Sequence, residues 1–244
     1  MLLDDCCIAR ELARAGLSHR AGPDKEAAGL MLAVLAERHC LSSRWAPYLA
    51  WLPKSLPRLP LSWPQDALAL LAGTAAADKL DGKWARSGAF VEPPAEVEVL
   101  WRDIARPFLE HHRTVAPAGR EHAEFLWAAG VVGAYSFTLG RKRFQAMVPL
   151  WDALNSVTGR ANVRLHHCAR SASLQMIATQ GIAQGEEVIN CYGRLSPGEL
   201  LRRYGISEPG PSLCRYKGCF GRAQSAPANP GLQLWRHPCF GGTA

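Results

Sequence analysis

The sequence predicts an α+β fold, a helical layer beside a small, mainly β unit, and three observations lead there. Helical periodicity dominates up to about residue 140 and strand-like alternation follows it. Elements segregated along the chain in this way pack as α+β rather than as alternating βαβ units. The 244 residues are 48% hydrophobic and 20% charged, enough to bury a sizeable core. Finally, 22 glycines and 17 prolines crowd into connecting segments and the tail, which favours many short elements and long loops over a helical bundle.

Taken in order, Ala27 to Cys40 is apolar on most faces and reads as a buried helix with Glu37, Arg38 and His39 at a polar end. Trp45 to Pro53 mixes aromatics with prolines and reads as an irregular packed connection. Ser62-Trp-Pro-Gln65 fits a capping box with Pro64 in the first helical turn and Gly73 closing the helix. Val97, Leu100, Ile104 and Phe108 recur at helical spacing, with Pro107 expected to kink or split that helix. A fourth helix is expected from Glu121 to Leu139, weakened by Gly130 and Gly133.

Beyond Gly140, the alternation of Leu174, Met176 and Ala178 suits a strand. Ala183-Gln-Gly185 makes a turn, and Glu187 to Tyr192 reads as a second strand. Ser196-Pro-Gly-Glu199 is the clearest local signal: an N-cap serine, proline at N1 and glutamate at N3, with Gly205 as the stop of a helix from Pro197 to Tyr204. Past Pro209 the chain is rich in Gly, Pro and Ala, loses periodicity and is expected to be loosely ordered.

The formal net charge is +7. An acidic partner such as nucleic acid is one reading of that balance, and a basic surface without a specific ligand is the stronger one. The densest local cluster is only Arg141, Lys142 and Arg143, and no nucleic-acid-reading motif accompanies it. The eight cysteines form no C-x-x-C pair, and free thiols in a reducing compartment are expected. Cys214, Cys219, His237 and Cys239 have a spacing that weighs less as a zinc site than as unpaired tail residues, so no metal is expected. The longest apolar stretch, Ala27 to Ala36, is too short to span a bilayer, and the first residues lack the basic and apolar regions of a secretory signal. A soluble intracellular protein without membrane partners is expected, with nucleus, cytosol and plastid not distinguished.

Five strings carry the functional reading. They are Met147-Val-Pro-Leu-Trp-Asp-Ala-Leu-Asn155, Ala161-Asn162, Leu174 to Thr179, Gly185-Glu-Glu-Val-Ile-Asn-Cys-Tyr-Gly193 and Leu200-Leu-Arg-Arg-Tyr-Gly205. As an ordered set they resemble the SET-domain protein-lysine methyltransferases of the Rubisco large-subunit methyltransferase-like class. Upstream, Arg44 to Tyr48, Leu61 to Pro64, Leu71 to Thr74 and Ala134 to Phe137 resemble the helical insert that interrupts the SET core in that class. The resemblance spans about Ala27 to Pro209. It divides the chain into an unmatched segment (1–24), the helical insert (25–140), the C-terminal SET core (141–209) and a Gly/Pro-rich tail (210–244).

What the resemblance implies is S-adenosyl-L-methionine-dependent N-methylation of a lysine on a histone or non-histone protein. It casts Tyr192 as the catalytic tyrosine, Tyr204 as an aromatic of the lysine channel, and Asn155, Ser156 and Phe137 as cofactor-binding. Ser156 stands where the class has a histidine. Physical need agrees with such a site. Methyl transfer from a sulfonium to an amine requires close alignment, and only the neutral amine attacks. A desolvated channel beside a positive sulfonium lowers the lysine pKa by burial and by like charge. A phenol and backbone carbonyls orient the amine without a salt bridge that would keep it charged.

Nothing before Ala27 matches the Gly-rich strands with which the class begins, and its long helical substrate-binding domain has no counterpart after Pro209. The chain is therefore expected to be truncated at both ends, with the N-terminal SET strands missing. The alternative function is a catalytically inactive SET-like module that binds a protein partner. His166 and His167, on an expected strand, lack a metal-spaced partner and read as one packed and one exposed side chain.

Overall fold

The computed structural model describes residues 3–19, 21–74, 76–77, 95–139, 144–168, 170–171, 173–193 and 195–207. The chain divides into two units, Met1–Ser212 and Leu213–Ala244, and the described residues all belong to the first. The expectations for the basic cluster 141–143, the tail and its cysteines fall outside them.

After a 3-10 turn at Leu3–Asp5 come α1 (Ala9–Arg14) and α2 (Pro23–His39). Every residue of α2 from Ala28 to Glu37 is buried. A helix apolar all round has to be enclosed by its neighbours, and α2 is the axis of the main core. It begins four residues before its apolar run because Pro23 opens the first turn, where its missing N–H is no loss. Glu37 is not a solvated end: it is 3% exposed and accepts from the Cys7 backbone N–H at 2.5 Å and from the Ser43 hydroxyl.

The segment read as an irregular connection contains α3 (Ala46–Trp51), since Pro47 also falls in a first turn. Downstream, a 3-10 turn at Pro60–Ser62 precedes α4 (Gln65–Ala69). Its N-cap is Pro64 without a side-chain cap, so the expected Ser62 capping box does not form. The next helical stretch has three parts: α5 (Ala95–Leu100), a π-helical turn (Trp101–Ala105) and α6 (Arg106–His111). The wide turn ends two residues before Pro107, the position expected to break the pattern, and the backbone stays helical through it. Val97, Leu100, Phe108 and Leu109 still reach the core.

Helix α7 (Glu121–Tyr135) packs on α2 and stops four residues before Leu139. Ser136–Leu139 instead forms β1, antiparallel to β2 (Phe144–Met147), a pairing that helical periodicity in the sequence cannot reveal. A Cβ on Gly130 would lie 2.5 Å from Leu56 Cδ1, so that glycine lets the proline-rich connection close on α7. Buried Glu124 on α7 receives Arg38 and Arg120 at 3.5 Å and His39 at 3.3 Å, while Arg38 lies 3.7 Å over the Trp127 ring. Among the described residues no helix is long and apolar enough to cross a membrane.

Two more small sheets follow. β4 (Val163–Cys168) pairs antiparallel with β5 (Ser173–Ala178) in the register Leu165↔Met176 and His167↔Leu174. His166 is exposed and half-buried His167 meets Phe144 edge-on. Leu174 and Met176 stand exposed, so the alternation is present but its apolar members do not join the core. The strand expected over Glu187 to Tyr192 shrinks to β6 (Ile189–Asn190), parallel to β3 (Asn155–Ser156). The last described helix is α8 (Pro197–Tyr204), capped by Ser196, whose hydroxyl accepts from the Glu199 N–H, and ended by Gly205 at φ +64°. Helices first and small sheets afterwards make an α+β fold.

Candidate functional site

The site is built on the two-residue bridge of β3 and β6, where Asn155 lies opposite Ile189 and Ser156 opposite Asn190. A contact of two residues needs outside support, and Asn162 gives it. This side chain is 1% exposed, accepts from the Ile189 N–H at 2.8 Å and donates to the Glu187 carbonyl at 2.8 Å. Its own N–H donates to the Ile189 carbonyl at 3.0 Å.

Two residues past β6, Tyr192 is fixed at both ends. Its backbone N–H donates to the Ser156 hydroxyl at 3.2 Å, and its phenol donates to the Leu154 carbonyl at 2.7 Å. The ring therefore points toward the strand that begins with Asn155. Tyr204, delivered by the last turn of α8, lies against it with ring centroids 4.4 Å apart. Asn155 donates its side-chain amide to Glu187 at 2.5 Å. Thus Asn155, Ser156, Tyr192 and Tyr204 converge. Phe137 belongs to a different neighbourhood, an apolar cluster of Leu139, Ala146, Val148 and Trp151, and meets Trp151 edge-on at 5.5 Å.

Three residues given no role from sequence, Asp152, Tyr48 and Tyr135, complete the surroundings. Asp152, three positions before Asn155, accepts a hydrogen bond from the Tyr48 phenol at 2.5 Å. Tyr135, at the end of α7, is close enough to Asp152 and Tyr192 for its charge state to bear on theirs. Both Tyr48 and Asp152 lay inside quoted strings, but only the fold shows that residues so far apart in sequence meet. Leu150, just upstream, takes a positive φ of 74° with an exposed side chain.

Burial drives the electrostatics. It raises the Tyr192 phenol well above the usual tyrosine range, with smaller contributions from Tyr204, Tyr135 and Asp152. Tyr48 is raised by burial and then by Asp152. Burial also raises the Asp152 carboxyl, opposed by the Tyr48 hydrogen bond. The centre is thus a half-buried set of neutral phenols and oxygen acceptors, with the charge of Arg58 opposing the burial that raises Tyr135. Such a set can orient a neutral amine and tolerate a cation beside it; it offers no phenolate base at neutral pH.

No family model matches the chain. It is 31% identical over 195 residues to N-lysine methyltransferase SETD6 of Rattus norvegicus, an alignment covering 75% of this chain and 38% of the relative. Over three quarters of its length the chain is thus similar to curated N-lysine methyltransferases. The human SETD6 N-lysine methyltransferase is likewise 31% identical over 75% of this chain, and ribosomal lysine N-methyltransferase 4 of Saccharomyces cerevisiae is 28% identical over 74%. The fold is similar to the crystal structure of the SET domain of LSMT bound to lysine and AdoHcy. That likeness has a TM-score of 0.63 and 21% identity, and covers 85% of this chain and 44% of the other. The chain spans about two fifths of the length of the curated relatives it matches.

Proposed function

We propose that this chain contributes the tyrosine-bearing half of a protein-lysine N-methyltransferase site, transferring methyl groups from S-adenosyl-L-methionine to a lysine of a protein substrate. The observation that carries the reading is the double anchoring of Tyr192, its hydroxyl on the Leu154 carbonyl and its amide on Ser156, beside the ring of Tyr204.

The donor set fits a cationic methyl donor: around Tyr192 stand phenols, a backbone carbonyl and a half-buried carboxyl. When bound, S-adenosylmethionine supplies an electrophilic methyl group on a sulfonium. Asn155 and Ser156 would hold it from β3, and Phe137 would contribute apolar surface from its neighbouring cluster. The chain's own part is orientation. The hydroxyl proton of Tyr192 is already engaged by Leu154, so the oxygen keeps lone pairs that accept from an amine N–H. That contact aims the nitrogen lone pair away from the phenol. Tyr204 closes one side against water, and desolvation favours the neutral amine. A non-histone substrate fits a basic chain better than a basic histone tail does, and action inside the cell follows from the need for that cofactor.

The test is methyl transfer from labelled S-adenosylmethionine to a protein extract by the wild-type chain and by Tyr192→Phe. Loss of incorporation on the order of a hundredfold is the expected result for an orienting group in such a site. Equal incorporation removes Tyr192 from the role.

One observation favours a second reading, a silent SET-like module that binds a protein partner: the Asn155 amide is already spent on Glu187, and Ser156 offers no imidazole. Calorimetry with S-adenosylmethionine separates the two. Micromolar affinity, about −8 kcal/mol, supports a working cofactor site, and absence of binding supports the silent module.

A further inference from the structure

The C-terminal end of α2 forms one wall of a cleft of about 280 Å³, lined by Arg38, Cys40, Lys54 and Trp127 among others. Lys54 brings a positive charge to an opening whose apolar side is Trp127, Leu49 and Leu52; Glu37 also lines it, and Arg38 is engaged by Glu124 and Trp127. Cys40 is half-buried in that wall, 3.5 Å from the Ser42 hydroxyl. Cys7, exposed as a residue but with a partly desolvated sulfur, lies close enough to Cys40 for the two thiols to act on each other's ionisation. Cys7 is held there by its backbone N–H on buried Glu37, and the neighbouring Asp5 and Arg44 pair across the same seam. Two thiols on segments over thirty residues apart thus lie beside one another, and one of them, Cys40, lines a cleft that Lys54 also lines.

We propose that Cys40 and Cys7 form a thiol–disulfide exchange site that reacts with a small anionic disulfide of the glutathione type. In the first step the Cys40 thiolate attacks one sulfur of the disulfide, making a mixed disulfide and releasing one thiolate. In the second the Cys7 thiolate attacks the Cys40 sulfur, making the Cys7–Cys40 disulfide and releasing the other. The two cysteines lose two electrons and two protons, and the small disulfide gains them as two thiols. Lys54 favours an incoming carboxylate-bearing disulfide, and the cleft gives it room.

The order of the steps follows from the microenvironments. The Ser42 hydrogen bonds hold the Cys40 thiol below its ordinary range, and the thiolate is the attacking form. Burial, then the charge of Glu37, then Cys40 itself push Cys7 up to about 12. The last of these causes vanishes once Cys40 is tied up as a disulfide, while the two larger ones persist, so the second step is the slower of the two. A thiol of depressed pKa beside a resolving partner is the usual arrangement of a redox-responsive pair.

The experiment treats the full chain with glutathione disulfide and maps every cysteine by peptide mass. The wild type is expected to yield the Cys7–Cys40 disulfide, lighter by two hydrogens. Cys7→Ser is expected to accumulate glutathione on Cys40, and Cys40→Ser is expected to leave Cys7 unmodified. Lys54→Gln is expected to slow the reaction with glutathione disulfide on the order of threefold while leaving that with neutral hydroxyethyl disulfide unchanged. Three outcomes overturn the proposal: a stable glutathione adduct on Cys40 in the wild type, glutathione on Cys7 in Cys40→Ser, or reaction at Cys168 and Cys191 while Cys40 stays free. A Lys54→Gln variant that reacts equally with both disulfides removes the charge of Lys54 from the account.

Discussion

Tyr48 of α3 and Asp152, three residues before β3, share a 2.5 Å hydrogen bond across 104 positions of sequence. It ties the helical layer to the segment that leads into the Asn155 strand, and it is half-buried. Removing the phenol takes the side-chain donor from a half-buried carboxyl that keeps its backbone donors, so Tyr48→Phe is expected to destabilise by about 1–2 kcal/mol. Combined with Asp152→Ala in a urea-denaturation double-mutant cycle, it should give a coupling energy of about 1–3 kcal/mol. Additive effects would mean that the contact contributes nothing.

The same carboxyl sets a pH dependence. Burial raises Asp152 in the folded protein above its ordinary value. A carboxyl raised on folding adds stability below its unfolded pKa, and that stability is lost as pH rises through the folded value. Asp152→Asn keeps an oxygen for the Tyr48 hydroxyl but cannot ionise. Urea midpoints of this variant should fall less than the wild type's as pH rises from the ordinary aspartate range toward neutrality. Parallel profiles would remove Asp152 from the titration.

Asn162 satisfies the buried backbone of β6 at two points. Asn162→Ala strands the Ile189 N–H and the Glu187 carbonyl, and a loss of about 2–4 kcal/mol is expected from denaturant unfolding. Because Tyr192 follows β6 directly, S-adenosylmethionine binding by calorimetry should weaken in the same variant.

Two glycines predict opposite signs. Gly133 lies in α7 with open space where a Cβ would go, so Gly133→Ala should raise stability by about 0.5–1 kcal/mol. Gly205 ends α8 at φ +64°, and a Cβ there would lie 2.6 Å from the Arg58 backbone oxygen. Gly205→Ala should cost about 2 kcal/mol or more, from left-handed strain and overlap together. Thermal melts of the two variants, shifted up and down respectively, check both.

What was legible in the sequence is what neighbours along the chain decide. Ser196, Pro197, Glu199 and Gly205 specify α8 among themselves, and its bounds match the expectation. The core of α2 was visible as an unbroken apolar run. β1 was not, because Ser136–Leu139 continues the apolar texture of α7 and becomes a strand only by pairing with β2. β6 was overdrawn for the converse reason: Glu187 to Tyr192 has strand composition, but only Ile189 and Asn190 find a partner. In the candidate site, Tyr192, Tyr204, Asn155 and Ser156 came from the ordered motifs. Asp152, Tyr48 and Asn162 were printed in those motifs, yet their roles rest on partners that only the folded chain supplies.

The unequal division of apolar burial has a dynamic corollary. Leu30, Leu32, Val34 and Leu35 of α2 and Phe125, Val131 and Val132 of α7 are fully enclosed, whereas the strands gather only a small cluster of their own. Backbone amides of α2 and α7 then exchange with solvent deuterium only when the whole unit opens, while those beside the β3–β6 bridge exchange through brief local openings. A visiting peptide would meet the pliable part of the molecule, seated on a part that stays shut.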